Sequence, residues 1–155
     1  MSKSVKRVQR AAIDLEIDID VKSMPQSTKT AQEAASACGC SVGQIVKSLV
    51  FEGKQTGKLI LILVSGSHEL DLEKVAEQLG EPLKRAHPKR IREETGFAIG
   101  GVAPIGHLNT LDSWIDKSLL SFDVVWAAAG APNAVFEIKP KELQRITGAT
   151  SFTVS

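Results

Sequence analysis

Val5, Val8, Ala12 and Leu15 recur at steps of three and four residues, the spacing that lines up one face of an α-helix. Lys3, Lys6, Arg7 and Arg10 fall largely on the opposite, wet side. The period then changes to two. Ile17, Ile19 and Val21 alternate with Asp18, Asp20 and Lys22, which predicts a strand with one face in the core, ended by Pro25. Thr30 followed by Glu33 is a capping-box signature for a short helix that stops near Gly39, and Ser41 with Gln44 repeats the signature.

Ile45 to Phe51 and Leu59 to Val64 are apolar and rich in strand formers, and Gly53 to Gly57 between them has hairpin composition. The pattern predicts two paired central strands. Leu70 to Leu79 has helical spacing closed by Gly80, and Pro88 stands where a first-turn proline belongs in a helix running to Gly96. Further strands are expected at Trp114–Ile115, Val124–Ala128, Ala134–Ile138 and Phe152–Val154, with a last helix from Pro140 to Gly148. Strands and helices mixed without a βαβ rhythm indicate an α+β fold. With 155 residues and no linker or repeat, one domain spanning 1–155 is expected.

Charge narrows the function. The chain carries 19 basic and 18 acidic residues, so no strong global field exists to hold a long nucleic acid. Contact with one end of an RNA remains compatible with that balance. Lys84, Arg85, Lys89, Arg90 and Arg92 form a local basic patch that reads equally as a phosphate contact or a solvated helix face. Cys38 and Cys40 make half of any four-ligand zinc site and read as reduced thiols. The basic N-terminus lacks the apolar run of a signal peptide, and no stretch of about 18 apolar residues occurs, so a cytoplasmic protein without a membrane partner is expected.

Two anomalies suggest chemistry. Lys47 interrupts the run Gln44 to Phe51, and an ammonium in a dry environment costs several kcal/mol without a partner. Either its stem lies along a solvent-facing strand side, or a phosphate or ester carbonyl meets it. Thr95 to His107 carries four glycines and Pro104 in a stretch of little polarity. Such a loop can aim bare N–H groups at an oxyanion, or serve as a plain turn. It has neither the Walker nor the dinucleotide pattern. A third cluster, Ala127 to Ile138, offers small residues for a pocket wall and Asn133 as an orienting group, or a tightly packed strand and turn. His68, His87 and His107 have no nucleophile beside them in sequence, no GxSxG elbow occurs, and no metal spacing occurs, so neither a metal nor a cofactor is expected. His107 reads first as a structural hydrogen-bonding residue.

Gln44 to Phe51, Thr95 to His107 and Ala129 to Glu137 together, in their order and spacing, resemble the YbaK/EbsC family, relatives of the prolyl-tRNA synthetase editing domain. The resemblance covers almost the whole chain. It implies a compact mixed, barrel-like β-sheet surrounded by helices, and a freestanding deacylase acting on the ester of mischarged tRNA, commonly a small amino acid on tRNA for proline. The family's lysine matches Lys47, implied to hold the terminal adenosine phosphate or the ester carbonyl. Its glycine-to-proline loop matches Gly100 to Pro104, with Gly100 and Gly101 placing carbonyl and water and Val102, Ala103 and Pro104 lining the substrate. Ser48, Thr28, Thr30, His107, Gly130 and Asn133 complete the expected substrate-binding set, and hydroxyls at Ser27, Thr28 and Thr30 suit a small side chain. The tyrosine and aspartate of the cysteinyl-tRNA branch are missing, since this chain has no tyrosine and Val135 stands near the aspartate position. That argues against cysteine specificity.

The implied partner is the 3′ acceptor end of aminoacyl-tRNA, with an aminoacyl-tRNA synthetase as a candidate second partner. The alternatives are a non-catalytic module that binds aminoacyl-tRNA, a nucleotide or a synthetase, and a small-ester hydrolase. The sequence does not disclose oligomeric state.

Overall fold

The computed structural model describes residues 2–25, 28 and 30–154, and Ser27, expected to offer a hydroxyl, lies outside them. The first helix, α1 (Lys3–Asp14), buries Val5, Val8 and Ala12, the face its spacing predicts, and is capped by Ser2, whose Oγ accepts the Val5 N–H. The strand expected over residues 17–21 does not form. Ile17, Ile19 and Val21 pack against the main core, yet only Lys22–Ser23 (β1) pair with a neighbour, β7 (Ala134–Ile138). Alternation reports one buried face; a ladder also needs a partner edge.

Caps decide the helix ends. Thr30 accepts the Glu33 N–H at 3.1 Å to open α2 (Ala31–Cys38), and Gly39 closes it in the left-handed region at φ 68°. Ser41 and Gln44 open only the 3-10 turn Val42–Gln44. Asp71 caps α3 (Leu72–Leu79), and prolines at the first turn open α4 (Pro88–Thr95) and α5 (Pro140–Thr147).

The hairpin of β2 (Val46–Gly53) and β3 (Leu59–Ser65) is antiparallel, with Lys47 opposite Val64 and Ser48 opposite Leu63. Every residue of β3 is buried, so both faces of this strand are covered. β3 runs parallel to β5 (Asp112–Asp116), which runs parallel to β8 (Thr150–Phe152). A short strand absent from the sequence expectation, β4 (Leu83–Arg85), borders β2 and completes the order β4-β2-β3-β5-β8. A second sheet has the order β1-β7-β6, with β6 at Val125–Ala128.

The α+β class holds, but the sheets are not closed into a barrel. They meet at a single parallel bridge between Ile45 and Trp126. The strands flanking this junction are too short to carry a ladder around it: β6 has four residues and β1 two. Between and around the sheets lie three apolar clusters. Val46, Leu59, Leu61 and Leu63 face α1's Val5 and Val8; Ile60, Ile62 and Val64 face Val75 of α3; Ile45, Trp126 and Val135 face Ala34 and Ala35 of α2. Each large side chain so buried contributes about 1.5–3 kcal/mol of transfer free energy.

Candidate active site

The glycine loop leaves α4 at Gly96 and returns at Leu108. Its neck is closed by the Leu108 N–H to Thr95 O (3.2 Å) and the Asn109 N–H to Glu94 O (2.9 Å). The buried Thr95 hydroxyl donates to Ile91 O and accepts the Phe97 N–H, turning the chain out of the helix. From α1, the Arg7 guanidinium donates to Gly96 O (2.7 Å) and Gly106 O (2.8 Å) while lying 4.6 Å from the centre of the Phe97 ring. One side chain thereby ties both ends of the loop to the first helix.

The loop differs from the exposed run of amides expected from sequence. Gly101, Val102, Ala103, Pro104 and Ile105 are buried, and Val102, Ala103 and Ile105 belong to the main core. The Gly101 N–H is engaged by Ala98 O at 3.0 Å, so it is not a bare donor. Apolar side chains in the loop, Phe97, Val102 and Ile105, draw it inward. Gly100 stays exposed with φ 88°. Among the described residues, the N–H groups of Val102 and Ala103 meet no protein acceptor, an uncommon state for buried backbone. His107 braces the loop: its Nε2 lies 2.7 Å from Ala103 O, and because a carbonyl only accepts, Nε2 carries the proton. Burial pushes the His107 pKa below its ordinary value, and Arg7 nearby adds to that, against the opposing effect of the Ala103 bond.

Beside Gly100 lies a small cavity of about 40 Å³ lined by Thr28, Ile45, Val46, Trp126, Ala127 and Ala131, among others. On this measure one water occupies roughly 10–15 Å³, so the space suits a methyl-sized group. Small and apolar side chains line it together with Thr28, whose hydroxyl donates to Pro132 O, and polar atoms supply nearly half of its surface.

Lys47 follows the cavity residues Ile45 and Val46 in β2 but does not itself line the cavity. The half-buried Lys47 places its Nζ 2.5 Å from His68 O. By strand alternation it shares a face with Leu49 and Phe51, whereas the loop packs with Val46 and Val50 on the other face. Ser48 carries a buried hydroxyl with no partner among the described residues.

His68 belongs to a cluster the sequence did not reveal. Asp116, 2% exposed, accepts the Ser65 N–H (3.0 Å), His68 Nδ1–H (2.9 Å), the Ser118 N–H (2.9 Å) and the Ser118 hydroxyl (2.8 Å). This buried carboxylate fixes the turn whose carbonyl holds Lys47. Chain separations of 48 and 50 residues hide the arrangement from motif reading.

The remaining expected binding residues have structural duties. Thr30 is the exposed cap of α2, its hydroxyl engaged by Glu33. Asn133 exchanges bonds with Met24, its Nδ2 donating to Met24 O (3.1 Å) and its O accepting the Met24 N–H (2.8 Å), so it staples β1 to the β6–β7 turn. Gly130, at φ 97°, is a close-approach glycine: a Cβ there would stand 2.9 Å from Ser4 O and 3.0 Å from the Phe97 ring. Cys38 ends α2, and burial, followed by Cys40, pushes its thiol up to about 11, so it stays protonated. The basic patch near α4 is partly neutralised, with Lys84 and Arg90 paired to Glu52 and Arg90 also to Glu94.

Residues 25–146 match the model of the aminoacyl-tRNA editing domain, a span that holds Lys47, the glycine loop and the cavity wall. The chain belongs to the aminoacyl-tRNA editing domain family. YwhH of Bacillus subtilis is 33% identical over 144 residues, which are 93% of this chain and 91% of YwhH. EbsC of Enterococcus faecalis, named as a candidate Cys-tRNA(Pro)/Cys-tRNA(Cys) deacylase, is 28% identical over 76% of this chain and 72% of its own. A crystal structure described as a candidate trans-editing enzyme for prolyl tRNA synthetase superposes with TM-score 0.93 at 48% identity, covering 100% of this chain and 98% of the other. The editing domain is thus an enzyme of the aminoacyl-tRNA deacylase class, as its sequence resemblance implied. Among the described residues no helix is long and apolar enough to cross a membrane.

Proposed function

We infer that this editing domain hydrolyses the ester of tRNA for proline mischarged with a small amino acid, and that the cavity beside Gly100 receives the side chain. The observation that carries this reading is the fit of size: about 40 Å³ of space bordered by Gly100, Ala127 and Ala131. A larger side chain meets Trp126 and Val46, both buried. The kinship with a trans-editing enzyme for prolyl tRNA synthetase supports the choice of tRNA.

An aminoacyl ester is already activated, so hydrolysis mainly needs a positioned water and stabilisation of the tetrahedral oxyanion. Water oxygen bonds to the carbonyl carbon, the carbon–ribose oxygen bond breaks, and the ribose hydroxyl leaves with a proton. Gly100 is the loop residue that both stays exposed and borders the cavity, so the ester would meet the loop there, with the buried Ala103 held behind it by His107. Lys47 is the cation of the scheme. Its ammonium rests on the His68 carbonyl, on the strand face away from the loop, so it would have to leave that carbonyl and swing toward the cavity side to meet the ester carbonyl or the terminal phosphate. The buried Ser48 hydroxyl, without a partner among the described residues, is a second polar group that substrate could engage if it reaches past the strand surface. Gly100 bounds the cavity; Gly101 shapes the turn.

The test is deacylation across a panel of mischarged tRNAs. Small amino acids on tRNA for proline should turn over fastest, and Lys47→Ala should lose on the order of 100- to 1000-fold in rate with its thermal unfolding unchanged. Wild-type turnover by Lys47→Ala would remove the lysine from the mechanism. Saturable binding without turnover would make the chain a binding module.

A further inference from the structure

The cations of α1 are arranged as a surface that no step above uses. Lys3, Lys6 and Arg10 are exposed and, with Arg7, Gln9, Ile13 and, at its far end, Asp14, line one open, shallow groove on the helix's own outer face. Between residues 3 and 14 the only acidic residue is Asp14. Among the described residues, Lys3, Lys6 and Arg10 take part in no ion pair, whereas Lys84 and Arg90 of the other basic region are held by Glu52 and Glu94. The first turn of α1 has no acidic residue, so Lys3 and Lys6 stand near the positive end of the helix dipole, where cations are disfavoured. Helix stability gives no reason for them there. An anion on this surface would gain from both the side chains and the dipole.

Position gives the anion its identity. Arg7 joins the helix to Gly96 and Gly106, the two ends of the glycine loop, and Gly130 packs on the Ser4 carbonyl one residue from the cavity wall at Ala131. The basic face therefore lies alongside the glycine loop and spans about 10 Å from Lys3 to Arg10. Ile99 and Leu108, 65% and 59% exposed, form an apolar rim on the same loop.

We propose that the α1 groove, through Lys3, Lys6 and Arg10, binds backbone phosphates of the tRNA acceptor stem while the aminoacylated end occupies the cavity. The proposal rests on the aminoacyl-tRNA reading of the site and adds the surface that holds the RNA. It also accounts for recognition of a nucleic acid by a nearly neutral chain: the charge is local.

The test compares wild type, K3Q/K6Q/R10Q and a control, K89Q/R92Q, which removes exposed charge from α4. Binding of an uncharged RNA hairpin of the acceptor stem is measured from 50 to 200 mM salt, together with hydrolysis of full aminoacyl-tRNA and of a 3′-aminoacyl adenosine that lacks the stem. With three phosphate contacts, the salt slope should fall by about 2.7 in the triple variant, so wild-type affinity should drop roughly 40-fold more than the variant's across that range. KM for aminoacyl-tRNA should rise, kcat should hold, and turnover of the adenosine ester should not change. The triple variant binding the hairpin with wild-type affinity and slope overturns the proposal, as does an equal loss in K89Q/R92Q. Equal loss on the adenosine ester overturns it as well, since the effect would then lie in the site. A wild type that hydrolyses no aminoacyl ester refutes the functional reading, while the uncharged hairpin still reports on α1.

Discussion

At the residue scale, His107 shows how one side chain can serve a loop without doing chemistry. Its Nε2–H anchors Ala103, and burial holds its pKa below the ordinary value of 6.5. The folded protein therefore binds this proton less readily than the unfolded chain does. Stability from His107 is fully present above the unfolded pKa and is lost as pH falls through the depressed folded pKa. Thermal unfolding midpoints followed from pH 8 to pH 4.5 should fall in the wild type below about pH 6.5, and His107→Gln should lack that component. An identical acid profile in the two proteins would show that His107 does not lose proton affinity on folding. Sequence made this residue visible through its place after Gly106, but its partner, four residues back, is set by the loop's fold.

Among the elements, helices were the most legible, because their ends are local chemistry. Thr30 and Gly39, Pro88 and Gly96, and Pro140 and Gly148 mark start and stop within a few residues of the observed bounds. The β2–β3 hairpin was equally plain from its apolar runs. Pairing is a non-local property, and there the reading weakened: residues 17–21 alternate but lack a neighbour, and β4 is three residues long. The site divided the same way. Lys47 and the loop stood out in sequence, but the burial of Gly101 to Ile105 and the Asp116 cluster needed three dimensions. Gly130 exposes the contact between elements most directly, since α1 and the end of β6 approach there with no room for a methyl group. Gly130→Ala combines positive φ with a clash against backbone, and should destabilise by roughly 1–3 kcal/mol in denaturant titration. A change within error would mean that α1 yields at this contact.

Over the whole molecule, the candidate site is assembled where two apolar clusters meet at the Ile45–Trp126 bridge. The two sheets share no continuous ladder, so their relative position depends on side-chain packing. A cavity formed at such a junction is tuned by single methyl groups, and small residues at 127, 128 and 131 keep it open. On the function proposed above, selectivity for a small amino acid would be a property of the assembled sheets rather than of any one motif. The charge distribution follows the same logic: a net charge of +1 says little about where an RNA would land, because cations on α1 and acids elsewhere cancel only in the sum.

Arg7 belongs to both halves of this arrangement, as the inner cation of the helix groove and the fastening of the loop. Its planar fork reaches two carbonyls at once; a lysine would keep the charge but has a single ammonium. Arg7→Lys should therefore preserve RNA affinity while kcat falls on the order of 10- to 100-fold, measurable in single-turnover deacylation. An unchanged kcat would show that the loop keeps its shape without this fastening. With the expected fall in kcat, grip and reaction share one mechanical joint, and by reciprocity a nucleic acid that steadies the joint would itself be held more tightly once the ester is seated.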